Sequence, residues 1–298
     1  MTDRWEGIEE AVAIADCGSF VRAAERLGTS TSRVSRALAA LEQRLGVQLF
    51  SRTTRAVALT DTGRSMVERF RRLIEDRNDA YAVLERQSEP QGLVRVTCST
   101  ALGVHFVAPV LTACAVEFPR LQVDLDLSNR VIDIVGEGFD LAIRTGTLSD
   151  SRLIRIPVGS RRFLTCAAPA YLARRGTPVD IKDLARHDCL TGSTRAWHLR
   201  VGSEIRSFRP RGRVRCDNGQ VVADAAIAGL GICHLPEFYV DDALRTGRLV
   251  RLLDDAQAED EPIWAVYPER RHLLPKVQVV IERLREGLRG GVAPTALP

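Results

Sequence analysis

The sequence predicts two folds in one chain: a small all-α domain finished by a β-hairpin and a long connecting helix, then a larger α/β domain in two lobes. Three observations carry this. Apolar residues recur at three- and four-residue spacing from Trp5 to Leu84, the period of helices that bury one side. From Gly92 onward, short β-rich runs alternate with helical segments, the pattern of a largely parallel sheet. The length of 298 residues exceeds a single core, which stops growing at about 250 residues.

In the first domain, Trp5, Ile8, Val12 and Ala15 make one side of a helix that Gly18 closes. Ser19 caps a second helix, Phe20–Leu27, whose Ala23 and Ala24 admit a close neighbour before Gly28 ends it. A third helix follows, with Val34, Leu38, Leu41 and Leu45 as its apolar stripe. Its polar start carries Ser30, Thr31, Ser32, Arg33, Ser35 and Arg36, short hydroxyls and guanidiniums suited to base edges and phosphates. A solvated side of an ordinary three-helix bundle gives the same pattern. Leu49–Thr60 then reads as two extended segments around a basic tip, where Arg52, Thr53, Thr54 and Arg55 can lie along a nucleic-acid backbone.

From Asp61 to Arg86 a seam of Val67, Phe70, Ile74, Tyr81 and Leu84 predicts a helix about 39 Å long at ~1.5 Å per residue. Such a helix suits pairing with a second copy; a helix lying on its own domain is the alternative, and Arg77 interrupts the seam. Ser88–Gly92 makes the hinge.

The second domain reads as strand Leu93–Cys98, helix Gly103–Phe118, strand Leu121–Leu127, short helix Val131–Glu137 and strand Asp140–Arg144. Alternation resumes from Ile154, with strands at Arg162–Ala167 and Ile232–Leu235 and helices at Val221–Ala228 and Leu273–Leu288. Ligands in such sheets bind outside the carboxyl ends of strands. There stand Ser99 and Thr100, Ser128 and Asn129, and Arg144 and Thr145, a set suited to a carboxylate or a small polar aromatic. Ordinary caps use the same residues.

Composition bounds the function. The chain is 45% hydrophobic and 27% charged, which predicts a folded, soluble protein. No apolar run approaches the ~18 residues of a membrane span, and Met1–Gly7 lacks a signal pattern, so a cytoplasmic location without membrane association is expected. The seven dispersed cysteines and five scattered histidines offer no metal-ligand spacing, so no metal or resident cofactor is expected. No nucleophile–base set supports an enzyme, and Ala228-Gly-Leu-Gly-Ile232 lacks the third glycine of a dinucleotide fingerprint. The net charge of +4 is small, but Ser19–Arg72 holds eleven arginines against four carboxylates. Lys182 and Lys276 are the chain's lysines, and a GC-rich genome explains that arginine bias without function.

The N-terminal pattern Ser19-Phe20, Ala23-Ala24, Leu27-Gly28, Ser30, Val34-Ser35-Arg36, Leu41-Glu42, Leu45-Gly46, Leu49-Phe50, Arg52, Leu59-Thr60 and Gly63 resembles the winged helix-turn-helix of LysR-type transcription regulators. Thr31-Ser32-Arg33 stands where the family often has Gln-Pro-Ala, and the Arg52–Arg55 wing resembles the CrgA-like branch. Pro109, Phe118-Pro119, Asp140–Gly146, Tyr171-Leu172, Ala228–Ile232 and Leu235-Pro236 resemble the family's effector domain, which is similar to periplasmic solute receptors. The resemblance implies an all-α winged helix-turn-helix (1–60), a linker and dimerisation helix with its hinge (61–91), and a Rossmann-like, periplasmic-binding-protein-like α/β effector domain (92–298). Lobe I would be 92–161 with 264–298, and lobe II 162–263. The crevice would also take Gly192, Ser193 and Asn218. Implied partners are promoter double-stranded DNA, a small organic effector, RNA polymerase and further copies of the chain as a dimer or tetramer. A small-molecule receptor or an enzyme with an accessory helical domain is the rival reading. A gel shift on the protein's own upstream region discriminates, because neither rival retards it.

Overall fold

The computed structural model describes residues 5–53, 56–84, 89–130, 132–146, 153–271, 274–289 and 291–292; the side chains of 52, 53, 56, 82–84 and 270 are outside that description. The chain divides into two compact units, Met1–Ser88 and Glu89–Pro298.

In the first unit, helices α1 (Ile8–Cys17), α2 (Phe20–Arg26) and α3 (Thr31–Leu45) precede a two-stranded wing, β1 (Phe50–Thr53) and β2 (Ala56–Leu59), and the long α4 (Asp61–Leu84). Val34, Leu38 and Leu41 are buried against Ile14, Ala23 and Ala24, as the stripe predicts, whereas Leu45 stays 38% exposed at the last residue of α3. The side chain of Ser30 caps α3, accepting from Arg33 N at 3.3 Å, and Gly46 closes it at φ 69°. Glu42 braces the wing: its Oε1 accepts from Leu49 N at 2.7 Å and Phe50 N at 3.1 Å. The wing is antiparallel with Phe50 opposite Leu59. Thr60 caps α4 through Gly63 N at 2.8 Å, and a Cβ at Gly63 would sit 1.9 Å from Leu49 O, so the helix starts where only glycine fits.

The seam on α4 turns inward. Val67 and Phe70 are 1% and 5% exposed in the first unit's own core, and Ile74 packs against it. Assigning Val67, Phe70 and Ile74 to a partner helix is therefore corrected: an amphipathic helix buries its stripe on the nearest apolar surface, here α1 to α3. Arg77 is accounted for in the same way, paired with Glu9 and stacked over Trp5 at 5.1 Å. Tyr81 remains 62% exposed; the side chain of Leu84 and all of Arg86 lie outside the described residues.

In the second unit, β3 (Gly92–Cys98) leads into a continuous helical stretch formed by α5 (Thr100–Leu102), a π-turn segment Gly103–Val107 and α6 (Ala108–Glu117). Then come β4 (Leu121–Leu127), β5 (Leu141–Thr145) and the long β6 (Leu153–Arg161). The chain next builds a second lobe: β7 (Phe163–Ala167), α7 (Pro169–Arg175), the hairpin β8 (Trp197–Val201) and β9 (Glu204–Phe208), α8 (Gly219–Ile227), β10 (Cys233–Pro236), α9 (Asp241–Arg245) and β11 (Val250–Leu252). It returns through β12 (Glu261–Pro268) and ends on α10 (Pro275–Gly287).

Lobe I holds a sheet of order β4-β3-β5-β12-β6, and lobe II one of order β10-β7-β11. The expected largely parallel sheet is corrected to a mixed one. β3 pairs in parallel with β4 and β5, but β12 is antiparallel to β5 and β6, and lobe II pairs antiparallel throughout its three named strands. The antiparallel pair β6/β12 exists because the chain leaves lobe I by one strand and re-enters by the other. The expected helix Val131–Glu137 is also corrected; Val131 is outside the described residues, and 134–138 form turns. Asp133 Oδ1 accepts from Gly136 N at 3.0 Å, a side-chain turn that competes with a helix.

The stretch Thr100–Glu117 is long and apolar enough by length and composition to cross a membrane, contrary to the sequence expectation. It buries Leu102, Val107, Leu111 and Cys114 in lobe I, and Glu117 at its end pairs with Arg283 of α10 at 2.6 Å. The seven cysteines are free thiols. Burial pushes the thiols of Cys98 and Cys189 up to about 12, which leaves them protonated and inert.

Candidate functional site

Two surfaces carry the residues singled out above. On the first unit, Ser30, Thr31, Ser32, Arg33 and Arg36 are exposed around the first two turns of α3, with Ser35 half-buried beside them. Burial of Val34 and Leu38 on the opposite side fixes this orientation. Ser30 and Ser32 hydroxyls lie 3.1 Å apart, and Arg36 Nε donates to Ser32 O at 3.3 Å. Some of these arginines are paired: Arg26 and Arg71 share Asp16, and Arg64 pairs with Asp61. Arg33 and Arg36 have no carboxylate partner among the described residues, so their charge faces outward. In the wing, the backbone of Arg52 and Thr53 pairs with β2, their side chains are outside the described residues, and so are Thr54 and Arg55 entirely.

On the second unit a cleft of about 510 Å³, open to solvent, lies where the two lobes meet. It brings together Ser99 and Asn129 of lobe I with Gly192 and Ser193 of lobe II. The other predicted residues sit elsewhere. Thr100 N donates to Asn129 Oδ1 at 3.1 Å, Ser128 Oγ accepts from Arg130 N at 3.3 Å, Thr145 Oγ1 accepts from Arg161 at 2.9 Å, and Asn218 caps α8 through Gln220 N at 2.9 Å. Each supports the rim without lining the cleft. Arg144 is the clearest correction: its guanidinium donates to buried Thr97 Oγ1 at 2.9 Å, and it is not a cleft residue. Burial lowers its pKa, with Asp126 acting in the opposite sense. Side chains alternate across a strand, so Arg144 follows Ala142 to the side that also carries Thr97.

Sequence reasoning missed Arg161, Phe163, Asp217, His234 and Tyr239, which also line the cleft. Arg161 ends β6, pairs with Glu261 at 2.6 Å and lies 5.0 Å over the Phe163 ring. Its charge is thus neutralised within the wall. His234 and Thr165 share a hydrogen bond of 3.0 Å across the β7/β10 register, and the ring stacks on Phe163 at 5.1 Å. Burial pulls the His234 pKa down to about 4, so the imidazole is neutral near pH 7. A signal existed: His234 is the polar residue between core Cys233 and Leu235, so it must point to the other side. The wall combines hydroxyls, a neutral imidazole, the Arg161 guanidinium paired with Glu261, the Asp217 carboxylate and the apolar surfaces of Phe163, Leu235 and Pro236, a set suited to a small polar molecule.

Lobe-to-lobe contact is specific. Asn129 Nδ2 donates to Asp217 O at 3.2 Å, so one amide ties the start of the first helix of lobe I to lobe II. Phe106 and Phe238 meet edge to face across the same boundary at 5.2 Å.

Comparison with known proteins decides the family. Residues 5–64 match the bacterial regulatory helix-turn-helix protein family of lysR type, and residues 87–289 match the LysR substrate binding domain. The chain belongs to the LysR family of transcription regulators. Among its LysR-family relatives, the HTH-type transcriptional activator TtdR of Escherichia coli (strain UTI89 / UPEC) is 33% identical, over 95% of this chain and 94% of that protein. The HTH-type transcriptional regulator CrgA of Neisseria meningitidis serogroup C is 31% identical, over 93% and 94%. The solved structure of CrgA from Neisseria meningitidis matches with a TM-score of 0.59 at 30% identity, covering 95% of this chain and 98% of that one. The full-length Vibrio cholerae virulence activator AphB has the same fold, with a TM-score of 0.60 at 24% identity over 95% and 98%. This LysR regulator thus combines a helix-turn-helix DNA-binding domain with a two-lobed effector-binding domain.

Proposed function

We propose that this regulator reads promoter DNA with Ser30–Arg36 and Arg52–Arg55, and that a small organic effector in the lobe cleft sets which DNA half-sites it holds. The outward, uncompensated guanidiniums of Arg33 and Arg36 carry the first half of this reading, because uncompensated cations beside exposed hydroxyls suit phosphates and base edges. The cleft shared by two lobes carries the second, because a ligand that prefers one lobe arrangement shifts the population toward it. Ser99, Asn129, Gly192 and Ser193 contact the effector directly, while Thr100, Ser128, Thr145 and Asn218 hold the rim. No resident metal or cofactor is needed. The protein works in the cytoplasm as a dimer or tetramer whose paired reading helices straddle a pseudo-palindromic site, and it signals to RNA polymerase. With the first half of α4 covered, pairing falls to its exposed C-terminal part, including Tyr81.

Footprinting on the protein's own upstream region tests the reading. Arg36→Ala should weaken the specific site about 5- to 100-fold, the range of ~1–3 kcal/mol for a base contact. Arg52→Ala should weaken all duplexes and reduce the salt slope by about one. Unchanged affinity in both variants refutes the placement of the reading surface. Effector binding is read separately, by thermal shift with organic acids and aromatics.

A further inference from the structure

Lobe II carries a second basic surface that neither the reading helix nor the cleft uses. Between Ile205 and Cys216 stand five arginines and no acidic residue, although the whole chain nets only +4. The segment after β9 runs along 189–191, which itself bridges Ile232 just before β10. Thr191 bridges Arg215 in parallel, Thr191 N donates to Val214 O at 3.1 Å, Cys216 N to Thr191 O at 3.0 Å, and Cys189 N to Arg211 O at 2.8 Å. A Cβ at Gly212 would sit 2.4 Å from Cys189 O, so the segment lies tight on its neighbour. Val214 and Cys216 pack against the lobe II core. Arg209, Arg211, Arg213 and Arg215 are all exposed.

Four exposed arginines within seven residues of near-extended chain form a basic strip up to about 20 Å long at ~3.3 Å per residue. Arg213 reaches only Asp188, at 4.0 Å, and that carboxylate is shared with Arg175 at 3.9 Å. Arg209, Arg211 and Arg215 have no ion pair with any described residue. Like charges held this close along the chain repel one another. A row of uncompensated guanidiniums fits a linear polyanion, because the planar fork binds phosphate with two parallel hydrogen bonds. The duplex already held by the same chain is present at high local concentration, which makes even a weak second contact effective.

We infer that the Arg209–Arg215 strip of lobe II is a second, sequence-independent contact for the phosphate backbone of duplex DNA. The inference rests on the DNA-binding reading above and adds a surface outside the winged unit. The test uses the full chain, a labelled 60-bp duplex of mixed sequence and a salt titration. Replacing all four arginines by Gln should lower the slope of log affinity against log salt by about 3 to 4, at roughly 0.9 per lost phosphate contact, with a loss of tenfold or more in affinity at low salt. Arg→Lys at all four keeps the slope. Should the fourfold Gln variant fail to fold, R211Q and R215Q singly should each lower the slope by about 0.9. Wild-type binding with an unchanged slope in the Gln variants overturns the inference. So does an unchanged slope accompanied by self-association, which makes the row a guard against self-pairing, or by lost binding to polyglutamate, which makes it an acidic-protein surface. Failure of the wild type to bind any duplex instead refutes the DNA-binding reading itself.

Discussion

Asn129 links the two lobes by a hydrogen bond, and its replacement is the most informative perturbation. Its amide makes two hydrogen bonds, accepting from Thr100 N at 3.1 Å within lobe I and donating to Asp217 O of lobe II at 3.2 Å. A neutral hydrogen bond contributes about 1 kcal/mol net, so removing the interlobe bond in Asn129→Ala should raise the open-to-closed ratio about fivefold. Asn129→Asp separates the two bonds: it keeps an acceptor for Thr100 and loses the donor to Asp217, so it should open the lobes while leaving the Thr100 amide protected. Spin labels at exposed Val116 of lobe I and Val179 of lobe II, with Cys17 and Cys216 replaced, report the lobe separation by pulsed electron resonance. Amide exchange at Thr100 reports the other bond. Identical distance distributions in wild type and both variants refute the coupling.

Two further predictions follow from buried groups. His234 is held neutral with a pKa of about 4 against ~6.5 unfolded, so its contribution is intact above pH 6.5 and is lost as pH falls toward 4. That shift of about 2.5 units corresponds to roughly 3 kcal/mol, and His234→Gln should remove this part of the pH dependence in denaturant unfolding followed by tryptophan fluorescence. An unaltered pH profile means the ring is more hydrated than the structure places it. Gly63→Ala should destabilise the first unit by about 3 kcal/mol and weaken DNA binding, because its Cβ would sit 1.9 Å from Leu49 O and push α4 off the wing. Wild-type melting in that variant contradicts the close approach.

The local elements were readable where a single segment settles its own form. Gly18 ends α1 and Ser19 stands at the start of α2 as the sequence marks them, and Leu121–Leu127 alternates and is a strand over that range. The start of the long helix at Asp61 was likewise legible, with Thr60 supplying its cap. Periodicity failed at Val131–Glu137, because Ile132 and Ile134 are buried without a helix and the Asp133 side chain completes a turn.

Sequence alone determined that the chain has two units of different class, that α3 presents hydroxyls and arginines, and that Ser99 and Asn129 stand at strand ends. These follow from spacing, which is a property of neighbours along the chain. Tertiary structure decided which surface each stripe meets. Val67 and Phe70 have the spacing of a dimer seam, yet α1 to α3 cover them first. Arg144 has the position of a ligand-binding arginine, yet strand alternation aims it at Thr97, and Arg161 enters the cleft from a strand that no local pattern links to it. Direction and partnership are set by long-range packing, because a periodic pattern specifies that a side is buried without specifying what buries it.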